Sequence, residues 1–333
     1  MGNTVIDTIA STWGALWKMM IISKKLYRFI GVIFFLAIIP LLFRQVYLLS
    51  FLNLILMNYL IYAGWNIIGG VTGYNNFGHA VFFGIGAYVT AMLTKNFGLY
   101  LWTLPIVVIT AMIIATLIGW PILRLRGIYF GLGTIPINYI FQYIVILLPF
   151  TGGALGLMIK PGISLDPMSF EILFYEVFLI TASLTFIASY KLLNSKLGLG
   201  LIAIREDEDA ALVFGVPTTK LKVIAFAISG VPAALAGGLY ACYTLYIDPS
   251  TVFTFTLSLY SIGANYLGGR GTVMGPLISS VIITVLLEQL RYMLGTTYEG
   301  LHMLIFSIVL ILIILYFPEG IIGRLRKKSK IFF

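Results

Sequence analysis

The sequence predicts an all-α fold: a polytopic transmembrane helix bundle of about ten spans (eight to ten), with both termini cytoplasmic. Three observations predict it. Of the 333 residues, 60% are hydrophobic and only 10% are charged, whereas soluble domains carry about 25% charge. Mean hydropathy is +1.03, and apolar runs near the roughly 20 residues needed to cross a bilayer recur along the whole chain. The basic residues sit in short gaps between these runs, as the positive-inside bias of membrane proteins requires.

Residues 1–28 come first. Ile6, Ile9, Trp13, Leu16, Trp17 and Met20 recur at helical spacing, with Lys18, Lys24, Lys25 and Arg28 following. This reads as an amphipathic cytoplasmic segment lying on the inner leaflet. A single transmembrane domain covers 29–323. Its candidate spans are 29–43, 46–68, 76–95, 101–123, 127–149, 171–191, 221–245, 251–268, 272–293 and 300–318. The first is short, contains Pro40 and ends at Arg44, which can snorkel. The third and eighth are rich in glycine and polar residues, so each is a candidate for a broken or re-entrant element. In the seventh, Gly230, Ala234 and Gly238 repeat every four residues, as do Ala233, Gly237 and Ala241. That helix offers small faces to two neighbours and is expected inside the bundle. Residues 324–333 form a basic cytoplasmic tail.

Ten spans with the N-terminus inside put 17 of the 21 Lys and Arg residues on the cytoplasmic side, leaving Arg44, Lys95, Lys160 and Arg291 outside. The net charge of +9 is therefore explained by topology and does not imply nucleic-acid binding. Cys242, the one cysteine, cannot form an intrachain disulfide.

The stretch Gly69–Ala80 contains Tyr74, Asn75, Asn76 and His79 among several glycines. Irregular backbone at membrane depth is tolerated only inside protein or beside a water-filled cavity. One reading makes these four residues the border of a translocation path; the other makes the stretch an ordinary loop before a packing helix. His79 is read as a hydrogen-bonding residue and no metal site is expected. Asn58, Asn66, Asn138 and Gln142 are read as interhelical hydrogen bonders, Glu171 as interfacial, and Glu288 and Arg291 as an ion pair one turn apart. Arg124–Gly127 reads as a topological anchor. Thr151–Gly156 opens an outer loop that is either a backbone contact for a delivering protein or a flexible turn. No Gly-Lys dipeptide, GxSxG or HExxH occurs, so there is no phosphate loop and no catalytic constellation; the chain is not expected to be an enzyme.

Against this apolar background stand five consecutive charges: Arg205, Glu206, Asp207, Glu208 and Asp209. At about 2.5 to 3.5 kcal/mol for each charge at mid-membrane, burying them would cost about 12 to 17 kcal/mol. The island therefore lies outside the bilayer, in the cytoplasmic segment 192–222. Apolar residues flank it, Gly215 suits a helix C-terminal cap, and Pro217 stops continuation. The expectation is a short docking helix with apolar ends and an anionic centre.

At this point the residues resemble a known family. Gly200–Ala211 through Gly215-Val216 is similar to the cytoplasmic coupling segment of the branched-chain amino acid ABC transporter permeases, in particular their LivM-type subunits. The run Gly78–Tyr88 matches that family's N-terminal signature. Leu123–Gly127, Thr151–Gly153, Leu267–Thr272 with Gly275-Pro276, and Phe317–Gly320 also match, in family order. Tyr74–Phe77 and Gly131–Pro136 depart from the family text.

The resemblance implies a permease subunit with no cofactor. Two ABC ATPase subunits would bind inside, at Arg205–Asp209 and Gly215. A homologous second permease, LivH-like, would lie beside it in the lipid, and a solute-binding protein would dock outside. The solute would be a branched-chain amino acid or a related small polar solute such as another amino acid, urea or a short amide. An ion-coupled secondary transporter is the alternative; it needs intramembrane acidic residues, and few are present.

Overall fold

The computed structural model describes residues 36–40, 44–162, 165–294, 304–305, 307–308, 311–312 and 320–323. The amphipathic segment 1–28 and the tail 324–333 lie outside them, as do most of the first and tenth candidate spans. The described chain runs through α1 (Val46–Trp65), which continues as a wider π-type turn over Asn66–Val71, then α2 (Ala80–Phe97), α3 (Leu104–Ile122), α4 (Gly127–Leu147) and α5 (Pro167–Leu193). Two short helices follow, α6 (Lys196–Glu206) and α7 (Glu208–Val213), then α8 (Thr218–Thr244), α9 (Phe255–Gly268) and α10 (Gly275–Leu294). The strands β1 (Leu157–Met158) and β2 (Tyr246–Ile247) pair antiparallel.

Six helical stretches among the described residues are long and apolar enough to cross a membrane: Val46–Val71, Tyr100–Ile122, Gly127–Leu147, Pro167–Leu193, Thr218–Thr244 and Gly275–Met293. The third and eighth candidates are the exceptions. At about 1.5 Å per residue, α2 reaches about 27 Å and α9 about 21 Å, against a hydrocarbon core of about 30 Å. The third span is completed by non-helical chain. Residues 72–79 turn back along α1, so that the Trp65 indole donates to the Asn76 carbonyl (2.8 Å) and His79 Nε2 lies 3.1 Å from the Ile61 carbonyl.

The bundle is built around α8, which packs against α1, α2 and α3. Its small residues permit this, as the repeat predicts. A Cβ on Gly86 of α2 would stand 1.9 Å from the Ala234 carbonyl oxygen, and one on Gly237 would stand 1.9 Å from that of Phe83. Backbone meets backbone at both points, so only glycine fits. Asn58 donates to Thr284 (2.9 Å) and Asn265 to the Tyr62 carbonyl (3.0 Å), adding polar ties between helices. Asn138 departs from its expected role: its side chain is buried and both amide atoms lack a hydrogen-bond partner among the described residues.

The connections gather at two ends. At one, β1 pairs with β2, Tyr100 donates to the Cys242 carbonyl (2.8 Å), and Gly156, at φ +75°, lies against the Ile247 carbonyl. The Thr151–Gly156 loop is thus held in place, with the buried Thr151 hydroxyl bonded to the Val145 and Leu148 carbonyls. Glu171, read as interfacial, lies near the start of α5 and is buried among the helices there. Its carboxylate accepts from Ser50, Asn53 and Tyr243 (2.8 Å each), tying α1, α5 and α8 together. Arg291 and Glu288 pair at 3.1 Å as expected. The other end carries the charged island.

Candidate functional site

The island does not form the single helix its composition suggests. The chain breaks at Asp207, which adopts extended backbone (φ −160°, ψ 112°). Its carboxylate accepts from the Ala210 amide (2.9 Å), capping α7, while Glu208 and Asp209 occupy the first turn, where the helix dipole favours negative charge. The break divides the five charges. Arg205 and Glu206 end α6, Asp207 is the hinge, and Glu208 and Asp209 start α7.

The end of α7 follows the sequence reading. Gly215 takes φ +81°, its amide bonds back to the Leu212 carbonyl (2.9 Å), and the Val216 amide reaches the Ala211 carbonyl (3.0 Å). This is the paired closure that a left-handed glycine allows. It leaves Val213 and Phe214 projecting, 85% and 86% exposed. Leu199 and Leu212 are exposed beside them, and a shallow groove runs between α6 and the Gly215–Pro217 turn, floored by Leu197, Gly200, Ala203 and Leu221.

The charges face two ways. The side chains of Glu206 and Asp209 are 69% and 77% exposed, and Asp209 is met by Arg126 at 2.7 Å. Arg126 is therefore more than a topological anchor. Glu208 turns inward, with its side chain only 13% exposed. Lys222, in the second turn of α8, is 2% exposed and supplies its partner. Its ammonium donates to Glu208 Oε1 (2.6 Å), Tyr74 Oη (2.9 Å) and the Leu123 carbonyl (3.1 Å), satisfying all three of its hydrogens. The Tyr74 hydroxyl donates in turn to Glu208 Oε2. Burial pushes the Glu208 carboxyl up, but the bonds from Lys222 and Tyr74 and the nearby charges of Lys222 and Arg126 outweigh it and hold it below its ordinary value.

Arg205 bridges the two sides: its guanidinium pairs with the exposed Glu206 (2.7 Å) and also extends inward. It reaches the Gly70 carbonyl (3.4 Å), and its side chain lies against Gly73 and Gly271, where a Cβ would collide with it. The Gly268–Thr272 turn joins the same assembly. Arg270 donates to the Gly69 carbonyl (3.0 Å), and Asn66 bridges the Thr272 carbonyl and the Gly271 amide. Asn66 thus acts as the interhelical bonder it was expected to be.

The four residues singled out in 74–79 separate in the structure. Tyr74 turns to Lys222 and Glu208, and its ring packs edge-on against Phe130 (5.1 Å). His79 is fully buried and is a hydrogen-bonding residue, as expected. Asn75 and Asn76 each keep one side-chain atom without a partner among the described residues. Sequence reasoning missed Lys222, counting it only among the inside charges. The available signal was its position, one residue into an apolar run, where a lysine is costly unless paired. Among the described residues, no group of three or more His, Cys, Asp or Glu is placed to hold a metal.

Comparison with known proteins gives a consistent result. The family described as "Branched-chain amino acid transport system / permease component" matches residues 47–314. The high-affinity branched-chain amino acid transport system permease protein LivM of Salmonella typhimurium is 28% identical over 295 residues, covering 80% of this chain and 68% of that protein. The LivM protein of Escherichia coli K12 is equally similar. The LivH permease protein of Salmonella typhimurium is 27% identical over 289 residues, covering 80% of this chain and 91% of that one. No solved structure matches.

Proposed function

The chain belongs to the branched-chain amino acid transport system permease component family, and from that premise we propose that it is the transmembrane subunit of an ABC importer driven by separate ATPase subunits. It is a multi-pass membrane permease. The solute we assign is a branched-chain amino acid or a related small polar molecule. Two ATPases bind at the island end, taken as cytoplasmic. A second, LivH-like permease lies alongside, and a solute-binding protein docks at the far end.

The observation that carries the proposal is the outer face of the island. Phe214 and Val213 project from a rigid glycine-capped turn next to exposed Glu206 and Asp209. An apolar knob beside two exposed ion pairs, Arg205–Glu206 and Arg126–Asp209, is a docking element: the knob supplies burial and the paired charges of its rim supply orientation. The chain has no phosphate loop of its own, so energy must enter from another chain. Asn75, Asn76 and Asn138, whose amide groups keep unpaired atoms, are the polar groups we assign to the translocation path.

The test is co-purification. In the full importer, Phe214→Asp should reduce the ATPase recovered with this chain by at least about tenfold, the scale of one buried aromatic anchor. Unchanged ATPase recovery and unchanged uptake would contradict the assignment.

A further inference from the structure

We infer that Tyr74, Lys222 and Glu208 form a buried polar link that makes α7 and the non-helical first part of the third span move as one body; this rests on the reading that the island docks an ATPase. The three residues come from three separate parts of the chain. Glu208 sits in the first turn of α7, Lys222 in α8, and Tyr74 at the entry to the stretch 72–79. Each acceptor and donor in the link is used. Both Glu208 oxygens are bonded, one by Lys222 and one by Tyr74, and the Lys222 ammonium completes its set on the Leu123 carbonyl.

Stability alone does not call for such a link, because a buried ion pair is commonly no more stabilising than well-packed apolar residues. What it does supply is geometry. A carboxylate bonded through both oxygens cannot slide or turn without breaking a charged hydrogen bond in a largely buried place. Apolar packing would allow α7 to slip against its support. Tyr74 is followed directly by Asn75 and Asn76, each of which keeps one unpaired side-chain atom. A displacement of α7 therefore reaches the polar part of the broken span through one hydroxyl. Arg205, bonded to the Gly70 carbonyl and seated against Gly73 and Gly271, braces the same stretch from α6. The island is thus divided in function: Asp209 and Phe214 lie on the outward side, Glu208 faces inward to the span, and Arg205 joins the two sides through Glu206 and the Gly70 carbonyl. Tyr74, Lys222 and Glu208 are positioning residues, since they act on the path through their neighbours.

The test follows the reactivity of a single cysteine. Asn75→Cys is introduced in the complete importer, with the buried Cys242 left in place. Alkylation by a maleimide is timed with no nucleotide and after trapping with ATP and vanadate. The expected result is at least a fivefold change in rate on trapping, falling below twofold when Tyr74→Phe or Glu208→Gln is added, with ATPase subunits still co-purifying. A merely structural link would lower thermal stability and leave the trapping response intact. A response that persists in both variants overturns the inference, and so does its absence in the chain carrying only Asn75→Cys. Failure of that chain to retain any ATPase overturns the docking reading itself, and the link's mechanical role falls with it.

Discussion

At the scale of single residues, Lys222 makes the sharpest claim. It is almost fully buried and bonded to three oxygens, one of them charged. Lys222→Met keeps the bulk of the side chain but removes the cation bonded to Glu208, leaving only the more distant Arg126 (3.9 Å), which should cost about 3 kcal/mol. A thermal denaturation series in detergent reads this loss. The pH dependence has a definite sign. In the native chain the Glu208 carboxyl lies below its ordinary value, so its contribution is complete above the ordinary glutamate range and disappears as pH falls through the lower, folded-state value. Without Lys222 its hydrogen bond and its charge no longer hold the carboxyl down, so the carboxyl sits higher than in the native chain. The penalty of Lys222→Met should therefore shrink on acidification through the ordinary glutamate range. A penalty independent of pH would contradict the pairing. None of this was legible in the run Glu206–Asp209. Four adjacent acidic residues look equivalent until the position of the helix break is known, and the break at Asp207 decides that Glu208 faces inward while Asp209 faces out.

Helices and turns show a different balance. The small-residue repeats of α8 were legible because close helix packing in lipid has few solutions, and small residues at four-residue spacing are one of them. Gly86 and Gly237 give the check. Each faces a carbonyl oxygen at a distance no side chain can occupy, so Gly86→Ala and Gly237→Ala should each cost at least about 2 kcal/mol by overpacking. Gly98→Ala, where nothing lies within 4 Å, should cost less than either despite its φ of +67°. Measured yields and melting temperatures of the three variants decide this. An interruption before α2 was also legible from the glycines and asparagines of 69–80, and the chain is non-helical through most of 72–79, although the helix itself runs on through Gly69 and Gly70. The destination of that stretch was not. That Tyr74 would meet Lys222 and Glu208, 148 and 134 positions away, depends on how α4, α6 and α8 converge, and no local pattern carries that information. The partners of Glu171 were illegible for the same reason: Ser50, Asn53 and Tyr243, which satisfy it, come from other helices.

Over the whole molecule, composition gave the membrane class and the family motifs gave the permease assignment, while the distribution of charge gives the orientation. Arg124, Arg126, Lys196, Arg205, Lys220, Lys222 and Arg270 gather at the island end, and Arg44, Lys95 and Lys160 fall toward the other. By the positive-inside bias we propose that the island is cytoplasmic. A cysteine at Phe214 should react with an impermeant reagent in inside-out vesicles and not in right-side-out ones. Energy coupling is the claim on which the rest depends, and uptake in reconstituted vesicles tests it directly. The importer is purified with its own ATPases, second permease and binding protein, and labelled leucine, isoleucine, valine, urea and a short amide are offered in turn. Accumulation of at least one should require ATP on the island side and binding protein on the other, and Phe214→Asp should abolish it. Accumulation driven by an ion gradient with no ATP and no ATPase present would show an ion-coupled carrier instead.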